Sequence, residues 1–368
     1  MLLPLCLQRR PWKQYQAGRL LLMKSPRIRF THIAGLVLLS LLTITAGGWG
    51  VLALIFSGPS SDMVRNILAA AFAGVSLAAL IALGSRRWRW QAIAGYFALF
   101  TVLLVWWLSI EPSNERDWQM DVAVLPYATI EGNLITVHNI RNFDYRSETD
   151  YTPAYYDKHF DLRELEAVDM VASYWMGPAI AHIFLSFAFT GGGNLAISIE
   201  TRKEKGEDYS SIKGFFRQYE LIYVVADERD IIRLRTNYRH DPPEDVYIYR
   251  ISGSIENGRR LFLEYMRKIN ALKTQPEFYN TLTTNCTTSI WLNTRVNPTH
   301  PPFSWKILTS GYVPELLYEY GRLDAGDLSF SELQQKSHIN ARAQTADDTA
   351  DFSRRIREEF RNGAPATH

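Results

Sequence analysis

Three long apolar runs occupy the first third of the chain and limit what the rest of it can do. Residues 33–56, 66–84 and 91–110 contain 24, 19 and 20 residues without a charged side chain. A helix rises about 1.5 Å per residue, so about 20 residues cross a hydrocarbon layer of about 30 Å. All three runs are long enough. A secretory leader carries an apolar core of only about 7–15 residues and ends at a small-residue cleavage site. The first run exceeds that length and two more follow it. The pattern predicts a three-helix membrane anchor over 33–110, behind an amino-terminal tail at 1–32.

Basic residues give the anchor a direction. Arg9, Arg10, Lys13, Arg19, Lys24, Arg27 and Arg29 precede the first run, and Arg86, Arg87 and Arg89 lie between the second and third. The loop between the first two runs has only Arg65, close to Asp62. Basic flanks stay in the cytoplasm. The tail is therefore predicted to be cytoplasmic, and three crossings place everything after residue 110 on the far side. Trp106 and Trp107 suit an interfacial belt at the end of the third run. The expected setting is a multi-pass protein of the cytoplasmic (inner) membrane whose carboxy-terminal domain is periplasmic. The net charge of +2 offers no basic surplus for a nucleic-acid partner.

From 111 onward the composition is that of a water-soluble domain, predicted to run to 345, with a polar tail at 346–368 in which the stretch from Gln344 is expected to be a helix that frays into disorder. Short strands or an arm on the surface are expected in 117–150, and the aromatic stretch 143–160 is expected to be a loop across the core. Apolar, β-branched segments at 167–177, 179–189 and 195–202 read as strands, the last two forming a hairpin across "TGGGN". Further strands are predicted at 219–226, 231–238 and 245–251. In 256–273, Leu261, Tyr265, Ile269 and Leu272 recur at helical spacing. The stretch "TLTTNCTTSIW" at 281–291 follows, with Thr283, Thr284 or Asn285 able to cap a helix that begins near Cys286. Strands followed by helices define an α+β domain.

The chain has two cysteines, Cys6 and Cys286. The predicted topology puts them on opposite sides of the membrane, so Cys286 has no partner for a disulfide in its own chain. It is either a small buried hydrophobe or a working thiol. A working thiol must ionise, which the first turn of a helix and a neighbouring imidazole both promote. Most of the eight histidines lie in polar or turn-like segments. His182 differs, sitting between "AIA" and "IFLSFAF" in an apolar segment that reads as a core strand. A strand places a base rigidly, which favours His182, although His300 in "THPP" also follows the cysteine as in ordinary papain-like order. A third member comes from the hairpin. If Phe189 pairs with Leu195, His182 faces Arg202 and Glu200 is its diagonal neighbour on the same face. A slip of one residue would turn Glu200 away.

The run "AHIFLSFAF…LAISIETRKEKGEDYS…FFRQYELIYVVADERDIIRLRTNYR…YNTLTTNCTTSI" resembles the Lnb-type periplasmic domain family, associated with N-acylation of bacterial lipoproteins. The similarity spans roughly 115–345. It implies a fold like that of permuted papain-like (NlpC/P60-like) thiol enzymes, an antiparallel-sheet domain with a helix-borne cysteine. It also implies the nucleophile role for Cys286 and the base role for His182. Three membrane helices and a thiol together lead to the expectation of a cysteine-dependent acyltransferase or hydrolase. Its substrate would be a phospholipid or lipoprotein, handled through a thioester without cofactor or metal. A cell-wall amidase on the same scaffold and a non-catalytic tethered interaction module are the alternatives.

Overall fold

The computed structural model describes residues 26–191, 193–347 and 349–358, with side chains from residue 31. Cys6, most of the amino-terminal tail and residues 359–368 lie outside the described residues. The chain divides into two compact units between Leu108 and Ser109.

The first unit is three helices, α1 (Pro26–Ser57), α2 (Asp62–Leu83) and α3 (Arg89–Leu108). Each has the length and composition to cross a membrane, with mean hydropathy 2.0, 2.2 and 1.7. Small residues let the helices approach, as is usual where packing rather than water drives association. A Cβ on Gly50 would stand 2.3 Å from the Phe72 ring. Leu54, Phe72, Tyr96 and Leu103 fill the interior, while Ile33, Leu38, Ile67, Ile81 and Val102 remain more than half exposed. An apolar exterior of this kind fits hydrocarbon and not water.

The second unit is built on a sheet. Its strands are β1 (Tyr127–Glu131), β2 (Leu134–Arg141), β3 (Asp144–Tyr145), β4 (Tyr151–Thr152), β5 (Tyr155–Asp161), β6 (Leu165–Tyr174), β7 (Ala181–Phe189), β8 (Gly193–Arg202), β9 (Glu220–Asp227) and β10 (Asp245–Arg250). Eight of them form one sheet in the order β1-β2-β9-β8-β7-β6-β10, with β5 also paired to β2, and β3 with β4 make a separate ribbon. All pairs are antiparallel except a single parallel step between β2 and β9. Helices follow: α4 (Glu228–Arg233), α5 (Ile255–Thr274), α6 (Cys286–Asn293), α7 (Val313–Glu319), α8 (Phe330–Ser337), α9 (Asn340–Thr345) and α10 (Phe352–Arg355).

Both faces of the sheet are covered, so its central strands are apolar throughout instead of alternating. On one face Ile183, Leu185, Phe187 and Phe189 of β7 pack with Leu261, Phe262, Tyr265 and Met266 of α5. On the other, Phe184 lies with Ile231, Ile232, Ile339, Phe352 and Ile356. The α5 spacing read from sequence holds within a residue at each end.

Three expectations are corrected. Residues 231–238 are not a strand, because α4 and a following π-turn at Leu234–Tyr238 occupy them. Adjacent Ile231 and Ile232 are both buried on one face, which a strand of period two cannot arrange. Glu228 and Asp230 in the first turn suit a helix start. Within 143–160, Tyr155 onward is strand β5, not loop, paired to β2. The expected tail from 346 is folded as far as 358. Ala346, Phe352 and Ile356 are buried, and Arg357 reaches Glu228 (Nη1–Oε2 2.7 Å) and Asp169 (2.9 Å) beneath the sheet. Two apolar anchors and one buried cation outweigh the polar composition of that segment.

Candidate active site

The β7–β8 hairpin sets the geometry. Phe187 pairs with Leu195 and Leu185 with Ile197, so paired numbers sum to 382 where the sequence reading took 384. The shift is two residues, which keeps every side chain on its expected face. Carried three residues beyond the last ladder pair, this register sets Glu200 opposite His182, not Arg202. His182 Nε2 lies 3.1 Å from Glu200 Oε1.

Ser198, two residues before Glu200 and so on the same strand face, completes the contact. Its hydroxyl donates to Glu200 Oε1 at 2.7 Å and stands 2.6 Å from His182 Nε2. Because that hydroxyl's proton goes to the carboxylate, Ser198 accepts from Nε2–H. The hydrogen-bond pattern thus assigns the proton to Nε2 and leaves Nδ1 for the sulfur. Arg235 donates to the same Glu200 oxygen at 2.9 Å, and Glu244 lies beyond Arg235, paired with Arg239 at 2.6 Å.

Cys286 enters from α6, as its first residue. Asn285 is the N-cap, its side chain accepting from the Thr288 N–H at 2.8 Å. Thr287 ties the turn to the Ile307 carbonyl at 2.6 Å, and Asn293 at the far end donates to the Tyr223 hydroxyl at 3.0 Å. The helix is thereby fixed at both ends. The thiol is buried, hydrogen-bonded to His182, and receives the backbone N–H of Ile183.

The electrostatics follow from these contacts. Burial works against charge on His182, but Glu200 and Cys286 outweigh it and push the imidazole up to about 9. Burial also opposes a Cys286 thiolate. The His182 hydrogen bond and charge, with the Ile183 N–H, win and bring the thiol below its ordinary value, against a smaller opposing effect of Glu200. Glu200 is held well below the usual carboxylate range, burial being overcome by His182, Arg235 and Ser198. Tyr279, across the site, is raised by burial and then by Cys286 and Tyr209, so its hydroxyl stays protonated. These shifts act together toward a thiolate beside an imidazolium, braced by a carboxylate.

This cluster lines a cleft of about 400 Å³ with Trp175, Met176, Tyr209, Tyr279, Arg239 and Leu308. The structure therefore brings together Cys286, His182 and Glu200. His300 is elsewhere, its ring against Trp291 and lining a different cavity. Sequence reasoning missed Ser198, although strand alternation places it beside Glu200. Arg235 and Tyr279 were also missed, the first because its segment was taken for a strand. Among the described residues no group of three or more His, Cys, Asp or Glu side chains is gathered to hold a metal ion.

Fold and site thus define a class: membrane-length helices followed by a mixed α+β domain with a buried cysteine–histidine–carboxylate cluster. Residues 151–311 match the family model of the Lnb N-terminal periplasmic domain, which bears out the resemblance seen in the sequence and encloses all three residues of the cluster. No curated protein and no solved structure matches the chain. The match to this domain and the three helices of membrane-crossing length fit a membrane protein with a periplasmic domain.

Proposed function

We propose that the protein is a cysteine-dependent acyltransferase of the cytoplasmic membrane, taking acyl groups from a phospholipid or lipoprotein ester through a thioester on Cys286. The scaffold reading is papain-like in permuted order, with the histidine strand before the cysteine helix. The observation that carries the proposal is the contact of the Cys286 sulfur with His182, whose other ring nitrogen is held by Glu200 and Ser198.

The steps balance as follows. The Cys286 thiolate adds to the ester carbonyl carbon and forms the C–S bond. The resulting oxyanion meets the N–H groups of the first turn of α6, where helix geometry leaves donors without intrahelical partners. Collapse breaks the C–O bond, and the departing alkoxide takes the proton from His182 and leaves as an alcohol. An amine then adds to the thioester while neutral His182 accepts its proton. The C–S bond breaks, an amide departs, and the thiolate–imidazolium pair is restored. Water in place of the amine would give hydrolysis.

A second reading has its own support. Arg239, Lys203, Glu148 and Asp121 give the cleft a charged half, which suits a peptide substrate of a cell-wall amidase. The deciding experiment incubates the full chain with phospholipid vesicles or with peptidoglycan fragments and measures the intact mass of the Cys286 peptide. An acyl adduct from the vesicles, absent in Cys286→Ala and in His182→Ala, is the expected result. Both variants should retain the wild-type circular dichroism. Cleavage of the peptide with no lipid adduct would replace acyl transfer with the amidase. Full alkylation resistance of Cys286 at neutral pH with neither product would remove both.

A further inference from the structure

A second cavity, of about 260 Å³, lies along the face of α6 next to the thiol cleft, and Thr287 borders both. Its depth is apolar, lined by Ile183, Leu185, Leu261, Ile290, Val313 and Leu317. Its rim is of another character. Ser252, Ser254 and Thr299 are exposed there, beside Asn257, Asn297 and His300. These residues are gathered at one end, since Asn297 donates to the Asn257 carbonyl, Asn257 to Thr299, and the Ser252 N–H to the Arg322 carbonyl.

That end favours negative charge. The α5 helix begins at Ile255 with Ser254 as N-cap, and the Ser254 side chain makes no capping bond. The Asn257 and Gly258 N–H groups bond the Ser254 carbonyl, which leaves the Ile255 N–H and the positive end of the helix dipole at the rim, and the Glu256 carboxylate of that turn is paired with Arg259 and Arg260. Arg322 donates only to the Thr299 carbonyl among the described residues, so its guanidinium retains donors. The rim's other arginine, Arg250, is committed to Asp169, and its carboxylate, Glu166, accepts from Thr190. Two buried polar atoms, Asn297 Oδ1 and His300 Nδ1, lack hydrogen-bond partners among the described residues. Buried polar atoms are ordinarily satisfied; His300 Nδ1, carrying a proton, can donate to an anionic head at this rim, while Asn297 Oδ1 accepts from water or a head-group hydroxyl. An apolar depth behind a donor-rich, cationic rim matches an amphiphile.

We infer that this cavity binds a single-chain anionic amphiphile. Its alkyl chain lies between α6 and α7, and its carboxylate or phosphate head meets Arg322 and the start of α5. The site is separate from the thiol and does not require Cys286 to react. A free fatty acid and a lysophospholipid share this chemistry.

The test uses the full chain in lipid nanodiscs and a fatty acid with a diazirine in its chain. Photolysis followed by peptide sequencing should label residues within 287–317. Laurate and lysophosphatidylglycerol should suppress that label, the better competitor naming the source, while dodecanol should be at least about tenfold weaker. The double substitution Val313→Phe/Leu317→Phe, which fills the cavity, should abolish the label while leaving Cys286 alkylation at the wild-type rate. Arg322→Gln is an independent surface variant that should weaken competition by laurate about tenfold and leave that by dodecanol unchanged. Absence of label from 287–317, its persistence in the filled variant, or equal competition by dodecanol would overturn the inference.

Discussion

Replacing Glu200 with Gln isolates the charge that sustains the proposed ion pair while keeping the side chain's shape. Glu200 is the largest influence raising His182, which stands near 9 against an ordinary 6.5. That difference corresponds to about 3 kcal/mol in favour of the imidazolium. Removing the carboxylate leaves burial, which lowers the imidazole, and the thiol alone to oppose it. The His182 value should fall by roughly 1–2 units, or about 1–3 kcal/mol. The thiol responds through its neighbour. In the native protein, iodoacetamide labelling of Cys286 against pH should rise in two steps. The first lies below the ordinary thiol range as the ion pair forms, and the second lies near pH 9 as His182 loses its proton and the thiolate is freed. In Glu200→Gln the imidazole and thiol values approach each other, so the pair exists over a narrower pH range and the two steps should close toward one. Peptide mass spectrometry follows Cys286 separately from Cys6. A two-step profile retained unchanged in Glu200→Gln would refute the electrostatic argument for this carboxylate.

Two further perturbations address stability. His182 has a raised value in the folded state, so its contribution is fully present below pH 6.5 and is lost as pH rises through about 9. The lowered Cys286 thiol gains stability over the same rise in pH and offsets that loss, so the wild-type melt should change little. Cys286→Ser, in which Glu200 still raises the imidazole, should melt lower as pH rises from 6.5 through about 9, and a pH-independent melt of Cys286→Ser would contradict the argument. Asn285→Ala removes the cap on the Thr288 N–H and should cost about 1 kcal/mol in chemical denaturation, with slower Cys286 alkylation at pH 7 as the first turn of α6 loosens.

Much of this was legible in the residues. Three uncharged runs specified the membrane helices because hydrocarbon tolerates little else, and α5 was plain from its periodic apolar side chains. The capping pattern at 283–286 located the start of α6. The hairpin was assigned two residues out of register, yet Glu200 still met His182, because an even shift preserves the faces of a strand. Other features were hidden. Arg235 reaches Glu200 only because 228–238 coils, and a short β-branched run does not distinguish helix from strand. Ser198 was readable from alternation, but its partner is set by the register. The fold of 346–358 was obscured because its anchors, Phe352, Ile356 and Arg357, are sparse among polar neighbours.

Arg357 carries a consequence for how this domain is made. Glu228 and Asp169 sit beneath the sheet with almost no access to water. Asp169 keeps Arg250, but Glu228 has Arg357 as its cation, and stranding such a carboxylate costs on the order of 3–5 kcal/mol. Emerging on the far side of the membrane in chain order, the strands can assemble, yet their underside stays electrically incomplete until the last turns arrive and close like a clasp. Protease-resistant periplasmic product should therefore accumulate only after translocation has delivered residue 357, and shortened clones ending near 345 should be degraded even though cysteine, histidine and glutamate are all present.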